Sequence, residues 1–212
     1  MSRALRAEWT KLRTLRGTGW LLLLAVVLTV AVLAVGGEYG SGMIATTLTA
    51  IPRRGRMLAA KAAVVAGLSA VAAVVGVLGS ALAARLILPG TGYPVPSPVD
   101  GPTVRAAAGS VLYLVLVALL AVGIAMAVRD SGVSIAVVLG LLYLFPLLAS
   151  LVADPGWHRF LWSLAPMNAG LAVQTTVNVA SLPIGPWAGL GVLAAWAAAA
   201  LLGGWLVLRA RD

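Results

Sequence analysis

The sequence predicts an all-α, polytopic helical membrane protein with four clear transmembrane helices. Ahead of them stand an amphipathic N-terminal helix and one short or re-entrant apolar segment. Three observations lead there. The chain is 61% hydrophobic and only 10% charged, with a mean hydropathy of +1.04, far too little polar surface for a soluble domain of 212 residues. Four stretches each supply the roughly 20 apolar residues that a helix needs to cross about 30 Å of hydrocarbon. The basic residues behind the net charge of +9 cluster at the ends of those stretches, where membrane proteins place their anchors. Nucleic-acid faces interleave basic residues with polar and aromatic ones instead, so no nucleic-acid partner is expected.

Residues 1–17 open the chain with "SRALRAEWTKLRTLR" at positions 2–16. Leu5, Trp9, Leu12 and Leu15 recur at spacings of four, three and three, which is one face of a helix. Arg3, Arg6, Lys11, Arg13 and Arg16 supply the polar surface. Such a helix is expected to lie on the inner leaflet, held to anionic lipids by about 1 kcal/mol per basic residue. Trp20 to Val35 follow, 16 residues in all, or about 24 Å of helix. That is one short span at most and never two. The segment dips and returns, lies along the interface, or forces one basic end outside. A signal peptide fits less well, because the basic region is long and no clear A-x-A site follows.

Next comes "AVGGEYGSGMIATTLTAIPRRGR", with Glu38 its sole acid and Arg53, Arg54 and Arg56 within four residues. The positive-inside rule places residues 36–61 in the cytoplasm. Residues 62–208 then form a four-helix membrane bundle. Its spans are expected at Ala62–Ala84, Ala106–Val128, Val133–Val152 and Trp187–Leu208. "PGTGYPVPSPVDGPT" separates the first two as a turn-forming loop, and "RDSG" joins the second and third as a tight hairpin. The C-terminus is then cytoplasmic with Arg209 and Arg211, while Arg105 and Arg159 fall outside and Arg85 snorkels outward. Within residues 153–186, Trp157, Phe160, Leu161 and Leu164 recur at helical spacing and predict an interfacial or re-entrant helix.

Inside the spans, Ala72, Gly76, Ser80 and Ala84 recur every fourth residue, a stripe for close helix packing, and Gly185 and Gly189 repeat the spacing. Pro146 is expected to kink the third span or free a carbonyl near Tyr143.

Catalytic chemistry has little to build on. The acids are Glu8, Glu38, Asp100, Asp130, Asp154 and Asp212, none at i, i+3 or i+4 from another, and His158 is the lone histidine. There is no cysteine, no H-E-x-x-H, no G-x-S-x-G and no G-x-x-x-x-G-K-[ST]. Neither a catalytic nor a metal site is expected, nor a bound cofactor. No charge stands near the centre of any span, which disfavours a self-powered pump.

The stretches "RAEWTKLRTLRGTGWLLLL", "LAVGGEYGSGMIATTLTAIPRRGRMLAAK" and "PMNAGLAVQTT…LPIGPWAGLGVLAAWAAAALL" resemble the membrane subunits of ATP-binding-cassette exporters, the type-2 permeases of actinobacteria. The resemblance extends over nearly the whole chain, and its most specific part is E-Y-x-x-G at Glu38 to Gly42. It implies a single permease domain in a bacterial plasma membrane, working as a homo- or heterodimer with a separate ATPase subunit that binds the ATP. It makes residues 36–61 the cytoplasmic coupling loop, with Glu38, Tyr39, Arg53, Arg54 and Arg56 as candidate ATPase-coupling residues. Six-helix members have an extracytoplasmic loop between their first two helices. Here "LLLLAVVLTV" runs directly into "AVLAVGGEYG", without that loop and parts of both helices, and Ala45 stands where a basic residue is expected. A non-transporting remnant or regulatory subunit of the same fold is the alternative reading.

Overall fold

The computed structural model describes residues 54–87 and 100–210. Among these residues there is no strand, and four helices are long and apolar enough to cross a membrane. The molecule is an all-α polytopic helical protein. Helix α1 is Arg54–Ile87 and α2 is Gly101–Val128. Helix α3, Ser131–Ser150, contains a π turn at Gly140–Leu144. Two short helices, α4 at Pro155–Leu164 and α5 at Pro166–Leu171, lead through a 3₁₀ turn at Ala172–Gln174 toward α6, Pro186–Ala210.

The boundaries differ from the sequence expectation in two instructive places. Helix α1 starts at Arg54, not at Ala62, so the last residues of the segment read as a loop (36–61) are helical. Its 34 residues span about 51 Å, so its ends extend past a 30 Å hydrocarbon layer. "RGRMLAAK" is rich in good helix formers and nothing in it stops the helix at the membrane edge. Helix α2 starts at Gly101 and absorbs "GPT" from the expected loop. Asp100 occupies the N-cap with extended backbone, and Pro102 fits the first turn, where a missing N–H costs nothing.

The "RDSG" hairpin is as tight as expected. Arg129 ends α2 in the left-handed conformation, φ 64°, with its N–H on Ala125 O. Asp130 then caps α3, its carboxylate accepting from Val133 N at 2.7 Å. Left-handed backbone costs a residue with a Cβ roughly 1–2 kcal/mol, and two capped helix ends offset it.

Helix α2 is the centre of the bundle. More than half of its most apolar stretch, 56%, is buried, against 17% to 28% in the other three spans. Leu114, Val117, Leu120, Val122 and Met126 are fully enclosed. Glycine decides how α6 approaches it. A Cβ on Gly123 would strike the backbone of Ala200 and Leu201, and one on Gly204 would meet Gly123 O. Tyr113 and Leu193 both border Gly170 at one level, and Met126 meets Gly204 further along, so α2 and α6 run parallel. Gly55, in the first turn of α1, borders the Trp205 indole near the end of α6. Residues 54–61, the Arg129–Asp130 turn and Arg209 therefore share one end of the bundle, called here the hairpin end. Val64, Leu68, Val71, Val75, Leu78 and Leu82 of α1 are exposed, and in a bilayer such side chains face lipid.

Candidate functional site

Between α3 and α6 the chain makes a return excursion built from proline and acid signals. Asp154 caps α4, one carboxylate oxygen accepting from Gly156 N at 2.9 Å and Trp157 N at 2.8 Å. Ala165 breaks the helix with extended backbone, and Pro166 starts α5. Leu164 O accepts from Trp196 Nε1 of α6 at 3.0 Å, while Ala169 O lies against Gly189, nearer the start of α6. Further on, Val173 packs on Gly109, and Thr175 O accepts from Arg105 Nη2 at 2.7 Å. Residues 164–175 thus run antiparallel to the first halves of α6 and α2. Helix α4 reaches down as far as Trp196 and α5 climbs back, a helical hairpin at the end of the bundle opposite Arg129.

The helical spacing of Trp157, Phe160, Leu161 and Leu164 is realised in α4. Trp157, Phe160 and Leu164 are exposed, with Trp157 and Phe160 edge-to-face at 6.0 Å. The other side of α4 turns inward. His158 stacks on Trp162 at 5.7 Å between ring centroids. Together with Arg159, Ser181, Leu182 and Pro183 these rings line an open cleft of about 590 Å³. A second hollow of about 210 Å³ shares Trp162, Leu182 and Pro183 with the first and ends among Asn168, Leu171 and Ile184. Asn168 Nδ2 is buried there without a hydrogen-bond partner. Such an orphaned amide is costly and points to an acceptor supplied from outside the chain.

The third span carries the second irregular element. Phe145 N–H donates to Gly140 O, five residues back, and Pro146 has no N–H. Leu141 O therefore lacks both its α donor and its π donor. Tyr143, on this π turn, is partly exposed. Tyr113 OH is buried in α2 beside Gly170 and has no partner. Buried serines, by contrast, satisfy themselves within their own helix, as Ser110 does on Ala106 O at 2.7 Å.

The structure treats the other sequence-derived candidates unevenly. Arg3, Arg6, Lys11, Arg13, Arg16, Glu38, Tyr39 and Arg53, and the 20–35 segment, lie outside the described residues. Arg54 and Arg56 are on the first turn of α1. The stripe of Ala72, Gly76, Ser80 and Ala84 is not the face that α1 turns to its neighbours. Leu58, Val65, Ser69 and Ala73 are buried instead, while Ala72 and Ser80 are exposed and Gly76 and Ala84 are half-buried. Of the second pair, Gly189 is pressed against α5 and Gly185 borders open space. Arg105, expected on the outer side, stands at the end of the bundle away from Arg129, half-buried and bonded to Thr175 O. The Gly123–Gly204 seam and the Asn168 amide went unmarked in the sequence; the sequence-level signal for the seam was only a glycine in each of two apolar spans.

Among the described residues no group of three His, Asp or Glu side chains is placed to hold a metal ion. No family model and no curated protein matches the chain. What the fold and site define is a class: a polytopic helical membrane protein with a helical hairpin folded back on its bundle and a proline-broken span.

Proposed function

We propose that the chain is the membrane-spanning permease subunit of an ATP-binding-cassette exporter, driven by a separate ATPase subunit. It would sit in a bacterial plasma membrane as a homo- or heterodimer, with its C-terminus in the cytoplasm. The observation that carries this reading is the shared hairpin end. Arg54, Arg56, Lys61, Arg129 and Arg209 belong to it, against Arg85, Arg105 and Arg159 at the other, and Arg105 is held by Thr175 O. The positive-inside rule then orients the hairpin end toward the cytoplasm, the side on which an ATPase would dock. The E-Y-x-x-G resemblance supplies the coupling role of that surface. ATPase closure would push on Glu38, Tyr39 and Arg53 to Arg56, and the spans would rock between inward- and outward-facing states. The π turn at Gly140–Leu144 suits a span that must flex, because its hydrogen-bond ladder is already interrupted.

The test uses the absence of cysteine. Single cysteines at Ser2, Thr176 and Ala210 are labelled in intact cells with a membrane-impermeant maleimide, and the chromosomally expressed chain is purified to identify co-eluting ATPases. Expected are labelling at Thr176 only, with Ser2 and Ala210 reacting after lysis, and a co-eluting ATPase lost on Glu38→Ala plus Arg53→Ala. Labelling of Ser2 from outside, with no ATPase recovered, overturns the exporter in favour of a non-transporting remnant. The shortness of residues 20–35 is the observation that favours that second reading.

A further inference from the structure

The cleft beneath α4 is unexplained by any of this. Its mouth carries one fixed cation, the exposed Arg159, beside half-buried His158, which faces Trp162. No ion pair engages Arg159 among the described residues. The nearest acid in sequence, Asp154, spends its carboxylate on the backbone N–H groups of Gly156 and Trp157. The adjoining hollow is mostly apolar, lined by Leu171, Ala172, Leu182 and Ile184, with Thr175 and the orphaned Asn168 amide as its polar groups. Outside it, Trp157 and Phe160 present an exposed aromatic face of the kind that settles at a headgroup layer. The Arg159 charge at one cavity, an unpartnered amide donor in the adjoining one and their largely apolar shared wall suit an amphiphile with an anionic head.

We propose that the cleft between α4 and residues 181–184 binds one anionic phospholipid. Its phosphate lies against Arg159 and His158, a glycerol-ester oxygen accepts from Asn168 Nδ2, and the first methylenes lie on Leu171 and Ile184. A guanidinium suits a phosphate oxyanion, and an ester carbonyl is the acceptor that a buried amide N–H lacks. The site is independent of the exporter reading, because it rests on the helical hairpin alone.

Thermal unfolding of the delipidated full-length chain in neutral detergent tests it, with three probes titrated separately: phosphatidylglycerol, a neutral glucosyl diacylglycerol and inorganic phosphate. Phosphatidylglycerol is expected to raise Tm saturably and the other two to leave it unchanged. Arg159→Gln should weaken the apparent affinity about tenfold and Asn168→Ala about fivefold, whereas Arg209→Gln at the far end leaves it intact. Asn168→Ala also separates a ligand role from a structural one. Removing an unpaired donor does not lower Tm in the absence of lipid, but it shrinks the lipid-induced rise. An equal rise with the glycolipid overturns the site, as annular lipid would give that result. A rise with phosphate alone overturns the lipid assignment, and full retention of the effect in Arg159→Gln overturns the phosphate contact.

Discussion

Trp196 of α6 donates its indole N–H to Leu164 O, the carbonyl at which α4 ends, at 3.0 Å. The two residues are 32 positions apart, and the bond supplies a donor where the helix stops. Pro166 forbids continuation, so the last turn of α4 would otherwise leave this carbonyl without a partner in a layer poor in water. Trp196→Phe keeps most of the ring and removes the donor. We expect it to lower stability by about 1 kcal/mol, read as a fall in Tm in detergent, and to speed amide exchange in 161–168 while leaving 113–126 protected.

Gly189 and Ala169 set the seat of the same hairpin. Gly189→Ala places a methyl on the Ala169 carbonyl, which is backbone and cannot turn aside. Overpacking of this kind costs about 1–3 kcal/mol. Gly185→Ala and Gly191→Ala, where an added methyl meets open space, are expected to be neutral or slightly stabilising. A comparison of the three Tm values checks the assignment, and equal losses at all three positions would contradict it.

At the α2–α3 turn, Arg129 holds φ 64°. Replacing it by alanine and by glycine removes the same side chain, but only glycine removes the steric penalty. Arg129→Gly should therefore exceed Arg129→Ala in stability by about 1 kcal/mol. Whatever the arginine side chain contributes cancels in that comparison.

Pro146→Ala gives residue 146 an N–H that can serve the carbonyls left open before it. The π turn should anneal to regular α-helix and gain about 1 kcal/mol, less than the ~3 kcal/mol penalty of a proline in an unprepared helix, because the π turn already accommodates it. Hydrogen exchange across 140–147 should slow. If the exporter reading holds, the same substitution should reduce transport while raising Tm, a divergence that a purely structural proline would not produce.

These predictions show which features a single sequence could deliver. Apolar length found the four spans, and the spacing of Trp157, Phe160 and Leu164 found α4, because both signals are local and periodic. The side of α1 that packs was not legible. Alanine, valine and glycine occupy nearly every position from 62 to 84, so the stripe at Ala72, Gly76, Ser80 and Ala84 had no contrast against the face through Leu58, Val65, Ser69 and Ala73. The tethers Arg105–Thr175 and Trp196–Leu164 were equally hidden, since each joins residues that come together only after the hairpin has folded back. In the cleft, His158 read as an ordinary loop histidine and Arg159 as a loop cation on the outer side until the structure placed both along one cavity with Ser181 and Pro183. Asn168 carried no signal at all, because an amide in a polar loop is unremarkable until burial removes its water.

The parallel pairing of α2 and α6 also governs the order in which the protein can be built. Synthesis delivers α2 well before α6, so the face bearing Gly123 and Met126 precedes its partner Gly204 by about eighty residues. During that interval the notch at Gly123 is an unfilled vacancy on a nascent span, open to any passing small-residue helix or to a membrane chaperone. The notch fills only when Gly204 reaches it, so α6 closes the centre of the bundle. A chain lacking α6 would leave that notch uncovered.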